Sequence, residues 1–108
     1  MMVMSGEVMR IPKSVKVAGH NYRVEYPYVF RKQDLAAEAN HDKGRIRVSD
    51  RSKFGKKSQS EIDETFLHEI IHAVSCRYLP RSLELRESQV SQLSQGLYQV
   101  LRDNRLRF

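Results

Sequence analysis

One cysteine, three prolines, five glycines and no tryptophan stand among the 108 residues. A lone Cys76 closes no intramolecular disulfide, which excludes the stapled scaffolds of small secreted proteins and points to a reducing compartment, the cytoplasm. Nowhere do the roughly 18 consecutive apolar residues of a membrane-spanning helix occur. Glu7 and Arg10 interrupt the apolar patches of the opening MMVMSGEVMRIPKSV, so neither a signal peptide nor membrane insertion is expected. Repeats and low-complexity tracts are absent too, which excludes a solenoid. What remains is a single domain over residues 1–108, long enough to bury about two-thirds of its extended surface.

The net charge of +6 is unevenly spread: residues 1–57 hold 13 Lys and Arg against 6 Asp and Glu, and residues 58–108 hold 6 against 7. The excess peaks in KGRIRVSDRSKFGKK, residues 43–57, where Asp50 is the one acid. Such a run serves a nucleic acid or an acidic partner, or simply keeps a strand edge and loop from pairing with other chains. Phe54 alone is too little aromatic surface for base stacking.

The first half reads as short strands. Val15 and Val17, then Tyr22, Val24 and Tyr26, alternate with polar residues around Gly19–Asn21, a hairpin that Pro27 ends. A second hairpin is expected between Leu35 and Ser49, turning at Asp42-Lys43-Gly44, with Ile46 and Val48 on one face. Residues 50–60 have loop composition. The second half reads as two helices. Ser58 followed by Glu61 is a capping-box pattern, and Leu79-Pro80 marks the end of a first helix over residues 59–79. Val90, Leu93, Leu97, Val100 and Leu101 form the stripe of a second, with Ser82 as its expected N-cap and Asn104 near its end. So short a connection makes the helices antiparallel neighbours. The expected fold is α+β, a small antiparallel β-sheet packed on a two-helix hairpin.

The polar strip of the first helix contains His68-Glu69-Ile70-Ile71-His72, an HExxH motif. Residues four apart lie one turn up and about 40° round, so both imidazoles face one ion with Glu69 beside them. Zinc takes imidazole nitrogens at about 2.0–2.1 Å, and an open fourth position lets it acidify a water whose proton a carboxylate accepts. A shuffle of this composition yields HExxH about once in a hundred sequences, so the mid-helix context decides in the motif's favour.

A third ligand is needed. Cys76 is eight residues from His68, about 12 Å along the axis, beyond reach of the same ion. His20 and His41 fall on the hairpins, and Glu84 points away from the apolar stripe. Counted from Ser82, Glu87 lies about 7–8 Å into the second helix, nearly level with His72, and is preferred over Glu84. A transition-state stabiliser is not singled out among Tyr22, Tyr26, Tyr28 and His20.

HEIIHAV on a helix, preceded by small strands and followed by ESQVSQLSQGLYQVLRDN, resembles the compact phage and prophage-associated metallopeptidases related to the ImmA/IrrE group of gluzincin-like proteins. The resemblance covers most of the chain, although Ile71 stands where that group typically has glycine (HExGH). It implies zinc on His68 and His72, Glu69 as general base, a glutamate of the second helix as third ligand, and a protein or peptide substrate. The expected function is zinc-dependent peptide-bond hydrolysis. The alternative is a non-catalytic, zinc-stabilised module that contacts nucleic acid or an acidic protein through its basic face.

Overall fold

The computed structural model describes residues 11–31 and 35–106, so Glu7 and Arg10 lie outside the described residues. Four strands build the main sheet: β1 (Ser14–Val17), β2 (His20–Glu25), β3 (Ala37–Asn40) and β4 (Arg45–Val48), in the order β1-β2-β4-β3. Both expected hairpins form. β1 pairs antiparallel with β2 through a turn in which Ala18 and Gly19 both have positive φ, the geometry that matches the twist of a tight hairpin. β3 pairs antiparallel with β4 across the Asp42–Gly44 turn.

The sheet is nevertheless mixed rather than antiparallel, because β2 and β4 run parallel, Val24 beside Ile46. Turn residues fix pairing within each hairpin but not which strands of two hairpins meet. Gly44 is where they meet: a Cβ there would lie 2.6 Å from the Asn21 carbonyl oxygen, and the Gly44 carbonyl accepts a 2.8 Å bond from the Arg23 N–H. Only glycine allows that approach. Residues 50–60 also depart from the expected loop, since β5 (Arg51–Ser52) and β6 (Gly55–Lys56) form a small third hairpin with Phe54 exposed at its tip.

Strand alternation sends Tyr22, Val24, Ile46 and Val48 to one face, where they are buried against Ile62, Phe66 and Ala73 of helix α1 (Gln59–Tyr78). The opposite face carries Arg47, bonded to Glu25 at 2.6 Å and to Glu38 at 3.4 Å and stacked 4.3 Å from the centre of the Tyr28 ring. Part of the basic run is thus absorbed within the fold, leaving Arg51, Lys53 and Lys56 on the small hairpin. The reciprocal Ser58–Glu61 capping box starts α1, and its last N–H bond, from Leu79 to the Ser75 carbonyl, is followed by Pro80.

Helix α2 (Glu87–Asp103) has its N-cap at Arg86, four residues beyond the expected Ser82, because Arg81–Leu83 forms one 3-10 turn and the chain then runs extended to Arg86. The helices are antiparallel: Ser75 near the end of α1 receives the Leu85 N–H, while Glu64 and Thr65 near its start share a cleft with Ser94 and Gln95. Among the described residues no helix is long and apolar enough to cross a membrane.

Candidate metal centre

Four-residue spacing on α1 puts the His68 and His72 rings edge to face, 4.8 Å between centroids, with their Nε2 atoms 3.2 Å apart. The Ser75 hydroxyl accepts the Leu85 N–H at 2.8 Å, pinning the entry to α2 one turn beyond His72, and Glu87 is the first residue of that helix. An acid there suits the positive end of the helix dipole. Its Oε1 lies 2.5 Å from His68 Nε2 and 3.0 Å from His72 Nε2, and its Oε2 3.2 Å from His72 Nε2. Glu87 therefore reaches both histidines from the helix start, not from the depth within a longer helix that the sequence implies.

Two nitrogens and a carboxylate are a donor set that zinc accepts. Ligands at 2.0–2.1 Å in a tetrahedron stand about 3.3 Å apart, and the His68–His72 separation is close to that value. These three form the one His/Cys/Asp/Glu group among the described residues whose ligand atoms all lie within 4.8 Å of one another. Burial works against charge on Glu87, but hydrogen bonds from His72 and His68 outweigh it and hold the carboxyl below its ordinary range. The histidine side chains are 20% and 26% exposed and Glu87 is 66% exposed, so the outer side of the group stays open to solvent.

Beside this group runs a cleft of about 270 Å3. His68 and Glu69 contribute to it from α1, Ala36 and Ala37 from the segment entering β3, and Ser91 and Ser94 from α2. Small side chains on both walls keep it open. Glu69 is not level with the histidines on one exposed strip. It turns toward the sheet and is 8% exposed. Burial pushes its carboxyl up to about 7; His72 pulls it down, while Glu87 and Glu38 add to the rise. A carboxyl poised there is matched to taking and returning a proton near neutral pH. No family model, curated protein or solved structure matches the chain.

The other sequence candidates lie outside the donor group. Cys76 and Glu84 do not join it, and His20 sits exposed at the start of β2. Tyr28 packs edge-on against Phe30, and Tyr26 is held above the usual tyrosine range by burial and by Asp50 and Asp63. His41 joins a network that Tyr22, His41 and Arg77, read one at a time, do not disclose. The fully buried Tyr22 accepts from Arg77 Nε at 2.9 Å and shares a 2.9 Å hydrogen bond with His41 Nδ1, and Arg77 also donates to the His41 carbonyl.

Burial, and then the charges of Arg77 and His72, hold His41 below its ordinary pKa of 6.5, with Glu84 and Asp42 opposing. The unfolded chain thus binds more protons than the folded one just below pH 6.5, and the stability contributed by neutral His41 is complete above that pH and lost as pH falls through the folded value. Urea unfolding of the parent and of His41→Gln should show a steeper loss of stability on acidification in the parent. Equal slopes would remove His41 as the cause.

Proposed function

We propose that the chain is a zinc-dependent peptidase of the cytoplasm, with His68, His72 and Glu87 as metal ligands and Glu69 as general base. The observation that carries the proposal is the convergence of two imidazole nitrogens and one carboxylate, within 3.2 Å of one another, beside a cleft lined by Glu69. When bound, zinc supplies Lewis acidity toward a carbonyl oxygen and lowers the pKa of water at its open position. Glu69 accepts the proton of the attacking water and returns it to the departing amine. β3 is the outer strand on the cleft side of the sheet, and its outer edge, which pairs with no other strand among the described residues, offers an extended peptide a row of hydrogen bonds. Ala36 and Ala37, where the chain enters β3, line the cleft with small side chains.

The test is cleavage of a mixed peptide library by zinc-loaded protein and by protein stripped with a chelator. Cleavage that depends on zinc and returns on adding it back is expected. Zinc binding with no cleavage would reject catalysis and favour the non-catalytic module.

A further inference from the structure

On the far side of α1 the two helices leave a second, larger groove of about 670 Å3. None of His68, His72 and Glu87 lines this groove. None of the side chains lining it carries a charge, although 30% of the chain's residues do. Ile70, Ile71 and Val74 form one wall, Leu93, Leu97 and Val100 the other. The α2 wall is also a ridge: Leu93, Leu97 and Val100 follow i, i+4, i+7 spacing and remain 52%, 44% and 43% exposed. That spacing is how one helix seats in the groove of another.

We propose that this face is the interface of a symmetric homodimer, in which the α2 ridge of each copy enters the α1–α2 groove of the other. Three observations favour a second copy as the occupant. Ridge and groove lie on the same face, the self-complementary arrangement that a two-fold axis needs. Residues 88–101 contain no Asp, Glu, Lys or Arg, so in a chain of net charge +6 this face meets its own copy without bringing like charges together. Gly96 lies between Leu93 and Val100 in open space, with no atom within 4 Å of a Cβ built on it. Glycine inside an exposed helix costs about 1 kcal/mol relative to alanine, and here it forms a notch in which two α2 helices cross closely. The four helices then form a bundle with a shared apolar centre.

Sedimentation equilibrium from micromolar to near-millimolar protein tests this. The parent should sediment at twice the 12.7 kDa chain mass at the upper end. Leu97→Glu, which sets two carboxylates against apolar surface in the dimer, should sediment as a monomer. Gly96→Gln guards against simple misfolding, because it improves helix propensity while filling the notch; it should keep or raise helical circular dichroism and weaken association at least tenfold. Zinc content should be unchanged in both variants, as none of the proposed ligands lines the groove. A parent that remains monomeric throughout the range overturns the proposal, whatever else binds the groove, and so does a Gly96→Gln variant that associates as tightly as the parent.

Discussion

Replacing Glu69 by Gln should lower zinc-dependent peptide cleavage by roughly 100- to 10,000-fold, the usual contribution of a positioned general base. Gln has the same shape and occupies the same place against the sheet, but its amide cannot accept the proton that water must lose. Zinc affinity should hardly change, because Glu69 is not one of the three converging donors. A second consequence separates loss of the base from damage to the fold. Burial raises the folded-state pKa of Glu69 from 4.5 to about 7, so the stability linked to the neutral carboxyl is complete below 4.5 and lost as pH rises through 7. Metal-free Glu69→Gln cannot ionise there and should be more stable than the metal-free parent above pH 7. Cleavage by the Gln variant at the parental rate would remove Glu69 from the mechanism.

Truncating Phe66 to Ala should cost about 3–5 kcal/mol of folding stability, the range for a fully buried Phe. Phe66 is 2% exposed and belongs to the cluster in which α1 meets Tyr22, Ile46 and Val48 of the sheet. A domain of this size has roughly 5–15 kcal/mol in total, so one ring carries a large share of it. The same packing holds α1 in place against the sheet, and with it His68 and His72, so loosening Phe66 also disturbs the proposed metal ligands. Urea unfolding of metal-free protein reads the effect, with the midpoint falling and the slope unchanged. A loss below about 1 kcal/mol would mean that the α1–sheet contact is not the centre of the core.

The parts of this fold legible in the sequence are those set by local chemistry. The Ser58–Glu61 capping box, the alternation of Tyr22 with Val24 and of Ile46 with Val48, and the Gly44 turn each specify their own element. The parallel β2–β4 contact is not legible, because no residue of either hairpin encodes which strand of the other it will meet. The start of α2 is hidden for a related reason. Ser82 has the composition of an N-cap, yet the chain there turns once and runs on until Ser75 captures the Leu85 N–H, a contact between residues ten apart. Apolar periodicity also misleads about which face of α2 is covered. Ser94 and Tyr98 are buried with Val90, while Leu93, Leu97 and Val100 stay in the open. At the proposed metal centre, the pairing of His68 with His72 follows from helical spacing alone, whereas the approach of Glu87 depends on the tertiary path of the helix connection.

The most direct measurement is isothermal titration of zinc into metal-free protein, comparing the parent with Glu87→Ala and Glu84→Ala. Removing a group that merely orients a ligand typically costs about 10- to 100-fold in metal affinity, so loss of a ligand should cost at least about 100-fold. The parent should bind one equivalent, Glu84→Ala should match it, and Glu87→Ala should bind at least about 100-fold more weakly. A parent that takes up no zinc, or a Glu87→Ala variant with parental affinity, would contradict the assignment of His68, His72 and Glu87 as one metal centre.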